Sequence, residues 1–331
     1  MIYSIHTMEI KLNVDTEKFG KLLEKAFYNA KGKNRVFPDK DRNDIYHDTA
    51  LTDEGIKIRY HDDKYKKNIR LIVNPTEVLG GDDVIKLWKP NEDNISKFLH
   101  KLEKHIKNYF NSKYELNDFE LSRIDFTVNI DVGSRERVAD YIRVLHNVGK
   151  VKCFDAKYEK NDKRINKEHS FDLVGNSNGV EFTAYNKEAA SGRKDAKGLL
   201  RVEVRLTKPR AIRGLTEETA TSNRIADYSL RSREIFLAVF SQVVPVGDYY
   251  KKAKAEKIVM ANVKRKNLKL KMLRLITLIP EKKSLLNAQK ELNARNLDEI
   301  MCEFAMLNLS PVTISKRHKI KRLEGLISYL E

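Results

Sequence analysis

The alternation in SRIDFTVNID, residues 122–131, constrains this chain more than any other stretch. Successive side chains of a β-strand point to opposite faces. Ile124, Phe126, Val128 and Ile130 therefore share one side, and Arg123, Asp125, Thr127, Asn129 and Asp131 share the other. LLRVEVRL (199–206) repeats the pattern, with Arg201, Glu203 and Arg205 opposite Val202, Val204 and Leu206. GVEFTAYNK (179–187) does so again, with Glu181, Thr183, Tyr185 and Lys187 on one side. Three such strands in one sheet predict an open, concave polar surface. Arginines beside carboxylates suit two jobs: gripping phosphate through two hydrogen bonds, and keeping acids ionised for a hard divalent cation. An antiparallel sheet with one wet face and cross-strand Arg–Glu pairs alternates in the same way without any chemistry.

The rest of the chain surrounds these strands with more strands and with helices. IHTMEIKLNVD reads as a strand, and DTEKFGKLLEKAF as a helix capped by Asp15 or Thr16. GIKIRYHDDKYKKNIRLIVNP alternates on both sides of a polar turn, which predicts a hairpin over residues 55–74, ended by Asn74-Pro75. Ile95, Phe98, Leu99, Leu102, Ile106 and Phe110 recur at helical spacing and form one apolar face to pack on a sheet. A helix near 134–148 opens at Ser134, and VKCFDAKY (151–158) is a further strand. Two polar loops, EKNDKRINKEHS and KEAASGRKDAKG, join the later strands. The fold class is α+β: a helix-backed antiparallel sheet followed by an all-helical C-terminal region.

That region begins where Pro245 and Gly247 interrupt a long helix that starts near Thr221, giving domains of residues 1–245 and 246–331. Tyr249 and Tyr250 start the next helix, and KKAKAEKIVMANVKRKNLKLKMLRLI is helical and heavily basic. In SPVTISKR, Ser310 caps, Pro311 takes the first helical position, and Lys316, Arg317 and Lys319 follow. This is the arrangement of a DNA-recognition helix, although a small bundle with a solvated basic face would read alike.

Charge narrows the partner. Sixty-four Lys and Arg against 47 Asp and Glu leave a formal +17, an excess that costs self-repulsion in the folded state. Nucleic acid is the first partner this implies and an anionic membrane surface the second; a Lys-rich compositional bias would produce the same total. The start is neither a signal peptide nor a membrane span, and no apolar run reaches the roughly 18 residues a spanning helix needs. Cys153 and Cys302 are far apart and lack metal spacing, so a reducing, cytoplasmic setting is expected.

The ordered set IRLIVNP (69–75), SRIDFTVNID, FTAYNK (182–187) and LLRVEVRL resembles the rolling-circle replication initiators of plasmids and phages, including the filamentous-phage gene II type. These carry an N-P strand, an R-[IL]-D strand, a Y-[ND]-K strand and an R-x-E strand in that order. The terminal LNLSPVTISKRHKIKRLEGL is similar to the tail of gene II-like proteins, so the resemblance spans roughly residues 55–330. It implies an HUH-like endonuclease fold, in which a tyrosine attacks a DNA phosphodiester while a divalent metal, Mg²⁺ or Mn²⁺, polarises the phosphate. By the same resemblance Asp125 and Glu203 are metal-site residues. Lys187 contacts phosphate or assists proton transfer, and Arg123, Arg201 and Arg205 hold DNA or orient the acids. The partners implied are single-stranded or hairpin origin DNA, with a homodimer and a helicase as further candidates and no membrane.

Two departures matter. The His-x-His metal pair of HUH enzymes is absent from the sequence, leaving His6, His61 or His169 to supply an imidazole. In HSFDLVGNSNGVEFTAYNK, Asp172 occupies the position that aligns with the family's tyrosine. The nucleophile is then Tyr158, Tyr185 or the Tyr249–Tyr250 pair, or Asp172 joins a metal site in a hydrolytic variant. Alternatively the chain is a catalytically silent regulator that binds DNA. An RNA-binding sheet is the third class, though Phe126 and Phe182 fall on the apolar faces.

Overall fold

The computed structural model describes every residue except 31–34, 84, 157–168, 177 and 331. Two compact units interleave along the sequence, and each is described by itself.

The first unit comprises Ile2–Thr127 and Arg205–Ile235. Its strands are β1 (Ser4–Asn13), β2 (Val36–Pro38), β3 (Ile45–Asp48), β4 (Ile56–Asp62), β5 (Lys67–Val73) and β6 (Glu120–Asp131), the last four residues of which belong to the second unit. They lie in the order β2-β3-β4-β5-β1-β6. The hairpin predicted over 55–74 is β4 and β5, paired antiparallel. Registration aligns the apolar positions in rows: Met8, Val73 and Ile56; Ile10, Leu71 and Ile58; Leu12, Ile69 and Tyr60. All nine are buried.

Two helices accompany that core. Thr16–Asn29 starts where the Asp15 carboxylate accepts from the Lys18 amide at 2.8 Å, and its Phe19 meets the Tyr60 ring edge-on. Glu92–Phe110 buries Ile95, Phe98, Leu102, Ile106 and Phe110, the spacing read from the sequence. Each such fully buried side chain contributes about 2 kcal/mol.

The second unit comprises Val128–Val204 and Phe236–Glu331, with Met1. Its further strands are β7 (Phe154–Ala156), β8 (Ser170–Gly175), β9 (Val180–Asn186) and β10 (Leu199–Leu206), in the order β10-β9-β8-β7; the last two residues of β10 fall in the first unit. Helix Arg135–Val148 opens at Ser134, whose Oγ accepts from the Arg137 amide, and buries Val138, Tyr141, Ile142 and Leu145. Toward the C-terminus come helices Lys252–Asn262, Lys266–Lys282, Leu285–Leu292 and Leu297–Met306, and a two-stranded sheet of β11 (Tyr249–Tyr250) with β12 (Arg322–Leu323). The chain is thus α+β, an antiparallel sheet with helices. No described helix is long and apolar enough to cross a membrane.

Several local expectations change. Within VKCFDAKY the described strand β7 starts at Phe154 and not at Val151, since Cys153 adopts a left-handed φ of 69° beside a Val151–Phe154 bridge. Tyr249 and Tyr250 form β11 instead of starting a helix. The C-terminal region is not all-helical, and SPVTISKR is not a recognition helix: residues 307–321 are irregular. Ser310 Oγ closes a local turn by accepting from the Val312 amide at 3.2 Å. Lys251 Nζ then donates to the backbone carbonyls of Ser315, Lys316 and His318 at 2.6, 3.2 and 2.5 Å. A helix would need those carbonyls for its own ladder.

The same segment is fastened further along. The Asp248 carboxylate accepts from Arg322 Nε at 2.9 Å and from the Gly325 amide at 3.0 Å. Gly247, at φ +98°, passes so near Leu309 that a Cβ would come within 2.5 Å of its backbone nitrogen.

Candidate functional site

The polar positions of β6 and β10 do not form the open surface their alternation predicts. In the first unit Asp125 is only 1% exposed. Arg123 grips it through two hydrogen bonds, Nε to Oδ1 at 2.8 Å and Nη2 to Oδ2 at 2.5 Å, and Arg205 Nε stands 3.5 Å from Oδ2. In the second unit Arg201, at 0% exposure, donates from Nε to Asn129 Oδ1 at 2.8 Å. Glu203 is 2% exposed and accepts the Tyr185 hydroxyl on Oε1 at 2.7 Å. A central strand buries both faces, so its charged side chains must satisfy one another.

That requirement reshapes the nucleophile question. Burial pushes the Tyr185 phenol well above the ordinary tyrosine range, and the Glu203 charge adds to the push. A phenol held neutral and donating to a carboxylate is a poor attacking group. Tyr249 is fully buried, and burial likewise raises its phenol. The Tyr250 hydroxyl donates to Asp248 at 3.3 Å. Tyr158 lies outside the described residues.

Asp172, on β8, accepts from Ser170 Oγ at 2.9 Å; Ser170 stands directly opposite Tyr185 in the β8–β9 register, and Asp172 opposite Thr183. Asp172 and Tyr185 thus occupy one face of this unit's sheet, with Glu203 bonded to Tyr185. The His146 imidazole also joins through Nε2 to the Ser170 carbonyl at 2.9 Å. Lys187 is buried at the first residue of helix Lys187–Ser191, which Asn186 caps, so its ammonium is not offered to the surface.

A divalent cation does not fit the carboxylates named for it. Both Asp125 oxygens are engaged by guanidinium groups, whose positive charge opposes a second cation, and Glu203 spends one oxygen on a phenol. Among the described residues no three His, Cys, Asp or Glu side chains are grouped to hold a metal.

Sequence reasoning missed two basic features. In the first unit the polar side of the hairpin sets Arg59 opposite Arg70, a pairing legible in the alternation of IKIRYHD and NIRLIV. In the second, Lys251, Lys254, Lys257, Lys321 and Arg322 line an open cavity of about 450 Å³ around Tyr250. Residues 316, 317 and 319 are exposed beyond it. Hence Lys316, Arg317 and Lys319 remain surface cations, but on an irregular segment.

A family model of the N-terminal part of a phage replication-associated protein, the gene II protein, matches residues 22–213, more than half of the 331. A solved structure described as that of a rolling circle replication initiator protein from Geobacillus stearothermophilus is similar at a TM-score of 0.40 and 12% identity, covering 96% of this chain and 99% of that one. Among curated proteins, none matches.

Proposed function

Because the chain belongs to the phage replication-associated family of rolling-circle initiators, we propose that it binds single-stranded or hairpin origin DNA and nicks one strand through a tyrosine. The family match over residues 22–213 carries this reading, and the +17 charge supports it. The nucleophile we assign is Tyr158, two residues past β7, because Tyr185 and Tyr249 are buried phenols with raised pKa. In the nicking step the Tyr158 hydroxyl gives up its proton and its oxygen bonds to phosphorus. The 3′-oxygen leaves with its electron pair and takes a proton, so a 5′-phosphotyrosyl link and a free 3′-hydroxyl result. Residues 1–245 carry this chemistry, and residues 246–331 supply duplex contacts through the cations around Tyr250 and through Lys316, Arg317 and Lys319.

Labelled origin strand incubated with the full chain, in Mg²⁺, in Mn²⁺ and in chelator, tests the proposal. A denaturation-resistant protein–DNA adduct is expected from the native chain and none from Tyr158→Phe. An adduct that persists in Tyr158→Phe would move the assignment to another tyrosine. A second reading is favoured by Asp172, which stands where the family's tyrosine aligns and is already engaged by Ser170. That reading, a silent DNA-binding regulator, predicts salt-sensitive binding without adduct under any of the three conditions.

A further inference from the structure

The register of the first unit's sheet lines up cations that ordinary sheets keep apart. Across four neighbouring strands, Lys11 of β1 stands opposite Arg70 of β5, Arg70 opposite Arg59 of β4, and Arg59 opposite His47 of β3. Beyond His47, on β2, is Phe37, an exposed ring stacked on the imidazole with centroids 5.4 Å apart and planes 18° off parallel. Like charges directly opposite each other destabilise a sheet. Part of the row is neutralised: Lys11 meets Glu120 at 3.3 Å, Arg70 meets Glu9 at 3.1 Å, and His47 meets Asp39 at 2.7 Å.

Arg59, at the centre, is not neutralised. Among the described residues its half-buried guanidinium has no ion pair, and its Nε is buried without a hydrogen-bond partner. One position along the same face, His61 Nε2 is also buried with no partner among the described residues. A buried polar atom left without a hydrogen bond is costly, so a surface that keeps two of them beside a run of cations is arranged for something that arrives later.

We propose that this row is a binding track for a single DNA strand, the phosphates running over Arg59, Arg70 and Lys11 and a base stacking on Phe37. At the usual strand spacing of about 4.8 Å, the row from His47 to Lys11 covers roughly 14 Å. Phosphate recognition by guanidinium groups and base stacking on an exposed aromatic are the two parts of sequence-independent single-strand binding. The track deepens the initiator reading, and it lies on strands other than the one leading to Tyr158.

The test uses the full chain and a 20-nucleotide oligothymidylate, without metal, so that nicking plays no part. Arg59→Gln should weaken binding about fivefold at physiological salt and flatten the dependence of log K on log salt by about 0.7, one single-strand phosphate contact. Lys97→Gln, an equal charge change on an exposed helix position, should do neither. Equal affinity and slope for Arg59→Gln and the native chain, at equal melting temperature, would overturn the track whether or not the origin is nicked.

An independent readout covers the case in which the variant folds poorly. His61 is faced by Arg70, Glu9, Arg42 and Arg59, and in the native chain its imidazole titration, followed by NMR, should move upward when the oligonucleotide binds. No movement would also overturn the track. Tighter binding of oligouridylate would transfer it to RNA.

Discussion

Two strand faces with the same alternating sequence have opposite electrostatic ends. On β6 and β10, Arg123 and Arg205 close on Asp125, Arg201 closes on Asn129, and Tyr185 closes on Glu203, with both carboxylates deeply buried. On the β1–β5–β4 row, Lys11 stands opposite Arg70 and Arg70 opposite Arg59, and Arg59 has no acid among the described residues. Each named guanidinium on β6 and β10 has an acceptor, whereas Arg59 has none among the described residues. Alternation announces a polar face; only the register shows whether its charges cancel. A ligand is better sought where they do not.

The largest test of this contrast is Asp125→Ala. Removing the acid takes a buried carboxylate away from Arg123 and Arg205, and urea unfolding should show a loss of about 3 kcal/mol. An unchanged unfolding midpoint combined with a lost metal-dependent adduct would instead return Asp125 to the role of metal ligand. Next, Tyr185→Phe strips a donor from buried Glu203 and should cost about 1–3 kcal/mol while leaving adduct formation intact. An abolished adduct at full stability would make Tyr185 the nucleophile and break the contrast from the other side.

The cationic row makes a pH prediction. Burial, with the Arg70 charge second, pushes the His61 imidazole down to about 4. The folded state therefore binds its proton less readily than the unfolded chain, whose histidine titrates near 6.5. The stability from neutral His61 is complete above pH 6.5 and is lost as pH falls toward 4. Denaturation midpoints at pH 7 and pH 5 should show about 1 kcal/mol more loss in the native chain than in His61→Gln. Equal losses would mean that the imidazole titrates normally and that the row is better solvated than described. The smallest effect is expected from neutralising Lys316, Arg317 and Lys319 together. Stability should change by less than about 0.5 kcal/mol, whereas duplex affinity should drop with a shallower salt slope.

Much of the scaffold was legible in residue spacing. The Ile95-to-Phe110 helix, the 55–74 hairpin and strands β6, β9 and β10 all follow from periods of 3.6 or 2. Strands β2, β3 and β8 were not foreseen; the first two are only three and four residues long, too short to establish a period. The candidate site was harder to read. Arg123, Asp125 and Arg205 do converge, and so do Tyr185 and Glu203, as a charged strand pattern suggests. Their burial, which turns prospective ligands into partners of one another, depends on neighbours remote in sequence. The recognition helix failed for a related reason: the local signals of Ser310 and Pro311 were outweighed by Lys251, far earlier in the chain, which claims the carbonyls of Ser315, Lys316 and His318.

The Asp248 fastening has a practical corollary for anyone who shortens this protein or appends a tag. Residues 309–325 are a buckled strap whose tongue is Arg322 and Gly325, so trimming even ten residues from the end would unfasten cations that lie before the cut. A side chain at Gly247 would pry it open from the opposite side, with the full length of the chain still present.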